Sequence, residues 1–237
     1  MKKAPYEVIG IGPDSWRIED SIVRAFLFAG RERALLVDST TGAGDLAALV
    51  KGLTSLPVLL VNTHADEDHI GCNSQFPHAW MHPAEFAHYA RMGKPGAAAP
   101  MPLQDGEVLD LGGRRFRVVL IPGHTCGSIA LLNPAERFLI CGDAVSSRPV
   151  FLFGSERNPD AYQASLHRLK ELSGDFDLLY PSHGEFPLGK EQLDRQAACL
   201  ERLRRGELTP MDPPFPMPAR MYQSDGAGFY FREDETT

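Results

Sequence analysis

Four segments of this chain carry an apolar, strand-like run into one or two turn residues and then a His or an Asp. They are PVLLVNTH ending at His64, FRVVLIPGH at His124, RFLICGD at Asp143 and FDLLYPSH at His183. Parallel and mixed sheets present side chains at the carboxyl ends of their strands, so in a layered sheet fold four such endings can converge on one edge. Imidazole and carboxylate donors gathered on one edge point to a metal site. Any one of these histidines alone is more often a satisfied core or surface residue, but four endings of one form are poorly explained that way. The densest piece is His64-Ala65-Asp66-Glu67-Asp68-His69, in which two imidazoles and three carboxylates occupy six residues directly after a strand.

The rest of the chain supplies the layers. Residues 8–12, 22–29 and 34–37 are β-type runs separated by Gly and Pro, which predicts an opening sheet of hairpins. Residues 45–53 carry apolar positions at helical spacing and 57–61 read as a buried strand, so the pattern changes to strand and helix alternation. A helix is predicted over 83–92, with Pro in its first turn and Gly93 at its end, followed by a loop over 93–102. Strands are predicted at 115–121, 129–132 and 137–140, and helices at 159–172 and 190–205. The order is that of a layered α/β protein with a mixed sheet or two sheets. After Thr209, five prolines fall within nine residues and Tyr222, Phe229, Tyr230 and Phe231 follow. This predicts an irregular tail on the surface, with an aromatic clamp over a pocket or a neighbouring subunit as the alternative.

Composition narrows the partners. The 237 residues are 43% hydrophobic and 23% charged, which excludes a disordered or fibrous chain. A formal charge of -7, with the longest cationic cluster at 202–205 interrupted by Leu203, makes nucleic acid and anionic membrane poor partners. Lys2 and Lys3 are followed by Ala4, Pro5, Tyr6 and Glu7 with no apolar run, and no later run approaches spanning length, so a cytoplasmic protein is expected. Cys72, Cys126, Cys141 and Cys199 show no C-x-x-C pairing, consistent with reduced thiols. A small-molecule substrate is expected, and oligomeric state is left open, a homodimer included.

THADEDH, GHTCGS, CGD and PSHG, in that order over residues 63–184, resemble the metallo-β-lactamase-fold superfamily. Its signature is H-x-H-x-D-H, a later His in a GHT context, an Asp after a strand and a final His, and LLVDST near the start fits its opening hairpins. The resemblance implies a four-layer αββα sandwich, expected over residues 1–209, and the change of composition after Thr209 makes 210–237 a Pro-rich aromatic tail expected to pack on the same domain. It further implies two divalent metal ions per chain. His64, Asp66 and His124 would hold the first, Asp68, His69 and His183 the second, and Asp143 would bridge. In such sites a metal-bound hydroxide is the nucleophile, and Asp68 would orient the water or return a proton to the leaving group.

Asp66 departs from the pattern, since the family usually carries His there. With Asp66 the ligand set contributes three carboxylate charges rather than two, which weakens the metals as Lewis acids. A carboxylate also suits harder cations, so iron and manganese stand beside zinc. Asp is shorter than His, and a place behind the ligands, with the first metal weakly held, is the competing reading of Asp66. His78, His82, His88 and His167 end no strand in the shared manner and are expected to be structural or surface residues. Packing is the expected role of Cys126 and Cys141.

The function implied is a metal-dependent hydrolase acting on an ester, lactone, thioester, amide or phosphoester bond of a small molecule. Glyoxalase-II-like thioesterases carry a helical C-terminal domain that the tail does not resemble, which leaves a small ester or lactone as the expected substrate. The alternatives are an iron-dependent oxidoreductase on the same ligands and a non-catalytic metal- or ligand-binding module.

Overall fold

The computed structural model describes residues 5–93 and 96–232. The opening lysines, Lys94 and Pro95 of the expected loop, and residues 233–237 of the tail lie outside the described residues. The chain divides into two compact units, Met1–Val118 and Val119–Thr237.

The first unit carries a seven-stranded sheet in sequential order: β1 (Glu7–Gly12), β2 (Ser15–Asp20), β3 (Val23–Ala29), β4 (Ala34–Val37), β5 (Val58–Val61), β6 (His78–Met81) and β7 (Ala99–Pro102). Tight turns join β1 to β4, and those strands pair antiparallel. From β4 onward the pairing is parallel, and each crossover contains a helix: α1 (Leu46–Leu53), α2 (Glu67–Ile70) and α3 (Phe86–Met92). Asp45 starts α1 by accepting the Ala48 N–H at 2.8 Å, and Leu46 and Val50, one turn apart, turn into the core. That core gathers Ile18, Leu27, Leu36, Leu60, Ile70 and Tyr89. β8 (Val108–Asp110) and β9 (Arg115–Leu120) form a hairpin in the register Val108↔Arg117.

β9 runs into the second unit, whose sheet has the order β14-β13-β11-β10-β9, built from β10 (Ile129–Asn133), β11 (Phe138–Gly142), β13 (Leu178–Pro181) and β14 (Leu188–Gly189). β10 and β11 are antiparallel, whereas β11 and β13 are parallel and joined through α4 (Pro159–Glu171). A third sheet has the order β12-β16-β15, from β12 (Val150–Phe151), β15 (Arg220–Ser224) and β16 (Ala227–Phe231), and it lies beside α5 (Gln192–Arg204) in the chain's contacts. The core of this unit gathers Val119, Leu132, Leu139, Leu166, Phe176, Leu200 and Phe229. Among the described residues no helix is long and apolar enough to cross a membrane.

Three expectations are corrected here. The loop over 93–102 ends in a strand, because Ala99–Pro102 pairs with β6 at the sheet edge, where proline is tolerated. The hairpin strand β2 has no β-type run of its own, and six paired residues against β3, apolar but for Arg24, hold it. The segment after Thr209 is not irregular throughout: β16 is buried along its whole length, pairing with β15 on one side and with β12 on the other. Its alternating prolines occupy only the approach.

Candidate metal centre

In the first unit the donors cluster where parallel strands end side by side. Val37 pairs with Val61, so Asp38 and the segment from Asn62 emerge together, with the Asp38 N–H donating to the Val61 carbonyl at 2.8 Å. Asp38 is buried in a left-handed conformation, φ 63°. Its Oδ1 accepts the Thr63 N–H at 2.8 Å, and its Oδ2 accepts the Thr63 hydroxyl at 2.9 Å and the His69 Nδ1–H at 2.9 Å. Because the Thr63 hydroxyl gives its proton to Asp38, it accepts from His64 Nδ1 at 3.0 Å. One buried carboxylate therefore fixes the tautomer of both imidazoles and leaves each Nε2 as a lone-pair donor, the arrangement by which outer groups orient metal-ligating histidines. Asp38 was not among the expected site residues, although LLVDST has the same form as the four endings that were.

Each Nε2 faces a carboxylate. His64 Nε2 lies 3.6 Å from Asp66 Oδ2, and His69 Nε2 lies 3.8 Å from Asp68 Oδ2. Both rings are buried, and their centroids are 3.9 Å apart. The loop between them is pinned from outside: the Ala65 N–H donates to the buried Glu85 at 2.9 Å, and the His88 Nε2–H donates to Asp66 Oδ1 at 2.7 Å. Gly71 lets this loop close on its neighbour, since a Cβ there would stand 2.2 Å from the Thr41 carbonyl carbon.

In the second unit the other three donors gather by the same device. β11 and β13 are parallel with Gly142 beside Pro181, so Asp143 and His183 leave neighbouring strand ends, with His183 Nε2 3.3 Å from Asp143 Oδ2. His124 follows β9, is buried, and its Nδ1–H donates to the Phe151 carbonyl at 3.0 Å. Its Nε2 is thereby left as the donor, 3.8 Å from Asp143 Oδ2.

These spacings fit a metal. Two ligand atoms on one tetrahedral ion at bonds of about 2.0–2.2 Å are roughly 3.3–3.6 Å apart. The separations at Asp66 (3.6 Å) and between His183 and Asp143 (3.3 Å) fall in that range, and the two at 3.8 Å, His69–Asp68 and His124–Asp143, lie about 0.2 Å beyond it.

Of the remaining histidines, His78 and His167 are exposed. His82 accepts the Ala84 N–H at 3.2 Å at the start of a short 3-10 turn, and burial lowers its pKa against the opposing pull of Glu85. His88 was expected to be a structural or surface residue. It is buried, and it is bonded to Asp66. Its lead was not legible from spacing, because 22 residues separate the pair. All four cysteines are free thiols; Cys141 is buried as expected, but Cys126 is exposed and packs no core.

The chain belongs to the metallo-β-lactamase superfamily, whose family model matches residues 18–183. Members of that superfamily bind divalent metals, typically zinc. The chain is 31% identical over 199 residues to a hydroxyacylglutathione hydrolase of Gloeobacter violaceus, covering 81% of this chain and 76% of that one. It is 29% identical over 211 residues to the acyl-coenzyme A thioesterase MBLAC2 of Gallus gallus, covering 73% and 76%. A metallo-β-lactamase from Pontibacter korlensis shares the fold at a TM-score of 0.70 and 20% identity, over 83% of this chain and 99% of that one. With this mixed α/β fold and these relatives, the chain is a hydrolase of the superfamily.

Proposed function

We propose that His64, Asp66, Asp68, His69, His124, Asp143 and His183 hold two divalent metal ions, zinc in the first instance, and that the protein hydrolyses an acyl thioester of a small thiol carrier. The metal assignment is that of the superfamily: His64, Asp66 and His124 on one ion, Asp68, His69 and His183 on the other, Asp143 on both. The observation that carries it is the fixed tautomers. Protein acceptors occupy Nδ1 of His64, His69 and His124, and each Nε2 then faces a carboxylate at ligand spacing.

Bound divalent ions would supply Lewis acidity toward the acyl carbonyl and activate water. The chain's own residues do the rest. Asp38 holds two imidazoles in register, and the Phe151 carbonyl holds a third. Asp68, partly exposed, would orient the attacking water and pass a proton to the departing thiolate. The thioester is preferred to the small ester or lactone suggested by the tail, because the relatives are named for acyl carriers on glutathione and coenzyme A. The free thiols suit a reducing cytoplasm.

Asp66 makes this an H-x-D-x-D-H variant, and its carboxylate favours iron or manganese more than the family's imidazole does. Elemental analysis of protein purified without chelators, paired with hydrolysis of acyl-glutathione, acyl-coenzyme A, oxygen-ester, lactone and phosphoester substrates, tests the reading. About two ions per chain and fastest turnover on a thioester are expected. Less than one ion, or no hydrolysis across the panel, would overturn it. Iron with oxygen consumption would favour an oxidoreductase on the same ligands.

A further inference from the structure

We infer that His88 is the positioning residue for Asp66, so that an Asp66–His88 pair does the work of the single imidazole that the superfamily motif carries at position 66. The inference rests on the proposed metal site.

Asp66 stands at the position before α2 where an aspartate commonly caps the helix, yet its side chain makes no capping bond. The carboxylate is divided instead. Oδ1 accepts from His88 Nε2 at 2.7 Å, and Oδ2 lies 3.6 Å from His64 Nε2. The first distance is that of a charge-assisted hydrogen bond, and the second is close to the spacing of two ligands on one ion. An imidazole at position 66 would carry its donor nitrogen on a rigid ring. A carboxylate has two equivalent oxygens on the same two torsions, and a hydrogen bond to one from an outside partner decides which way the other is aimed.

His88 is placed for that task and for little else. Only 4% of it is exposed, and its Nδ1 is buried with no hydrogen-bond partner among the described residues. A buried nitrogen left unmatched costs stability that an apolar side chain of similar size would not. A residue that only filled the core would be better served by Leu or Phe. The segment that presents His88 also presents Glu85, which holds the Ala65 N–H, so consecutive residues of the HADEDH loop are tied to one helical turn. The link is a direct one between α3 and the residue that departs from the family motif.

The test is zinc binding, by competition with a chromophoric chelator, and the visible spectrum of the cobalt form, in wild type and in the variants H88A, H88Q, D66H and D66H/H88A. Circular dichroism and thermal melting confirm that each is folded, and H88Q keeps a side-chain N–H donor if H88A fails that check. In H88A one of two ions should bind about 10–100-fold more weakly, with the other unchanged. H88Q should recover most of the loss. Once an imidazole replaces Asp66, His88 should no longer matter, so H88A should add less than about a twofold change in the D66H background. Two unchanged zinc affinities in folded H88A or H88Q would overturn the inference while leaving the metal site standing. An equal loss in the D66H background would overturn it too, since His88 would then act on the ion or the fold directly. Wild type without bound zinc would remove the metal reading and the inference with it.

Discussion

At the scale of single residues, the histidine rings are held by acceptors outside the proposed ligand set. Asp38 accepts three hydrogen bonds while buried, and through Thr63 it sets the ring of a histidine it does not touch. Asp38→Asn keeps the volume but places an N–H₂ where one of the donors points. Zinc affinity should fall about 10–100-fold, the usual loss when an outer partner of a ligating histidine is removed. Unfolding should also become easier by roughly 2–4 kcal/mol, from losing a buried charge-assisted network. Competition titration and thermal melting check both, and wild-type zinc affinity in this variant would mean that Asp38 does not set the tautomers. Asp66→His removes one carboxylate charge from the proposed ligand set and should shift the metal content of purified protein toward zinc. Unchanged metal identity and stoichiometry would argue that Asp66 is not a ligand. The proposed ligands were all legible in the sequence, because strand ends followed by His or Asp are a local pattern. Asp38 was half legible, carrying the pattern in LLVDST without a neighbouring histidine to draw notice. His88 was not legible at all, since its partner lies on another element and no spacing rule links a helix interior to a loop 22 residues earlier.

At the scale of elements, apolar runs were found and paired runs were not. β3, β4, β5 and β11 read directly from their composition, whereas β2 and β8 depend on the strand beside them, and β7 and β16 lie behind prolines that argue for loop. Pairing is a long-range property, so the aromatic run 229–231, read as part of a surface tail, showed neither its burial nor its partner β12. That partner matters, because the Phe151 carbonyl that holds His124 belongs to β12, and Phe151 packs on Tyr230 at 4.8 Å between ring centroids. The turn before His124 makes a sharper demand. Gly123 has φ 134°, and a Cβ there would stand 2.3 Å from the backbone of Tyr162 in α4. Gly123→Ala should therefore destabilise the protein by about 2–4 kcal/mol, through backbone strain and overpacking together. Gly52 offers the contrast, lying in α1 with open space where a Cβ would go. Gly52→Ala should stabilise by up to about 1 kcal/mol through helix propensity. Chemical denaturation of the two variants should move in opposite directions, and a Gly123→Ala midpoint equal to wild type would refute the close approach.

At the scale of the whole molecule, the proposed ions enter the folding equilibrium. The seven proposed ligands lie between residues 64 and 183, so an unfolded chain scatters them over about half of its length and holds no preformed site. Whatever binds the folded state and not the unfolded one stabilises it by mass action, about 4 kcal/mol for an ion present at 1,000 times its dissociation constant. For a chain of this size each kcal/mol moves the melting temperature by roughly 2–4 °C. Stripping with a chelator should therefore lower the melting temperature by about 8–16 °C for each ion so held, and zinc restored in excess should recover it. The carboxylates add to the effect. Asp66 and Asp68 are two residues apart and each only partly exposed, and the chain already carries a formal charge of -7, so removing the proposed dications leaves that local negative charge unneutralised. Part of the loss should accordingly be relieved by salt, which screens the exposed share of that repulsion without replacing the ions. Melting curves with and without chelator, at low and at high ionic strength, separate the two contributions. A melting temperature indifferent to the chelator would mean that the folded chain holds no ion, whatever its donors resemble.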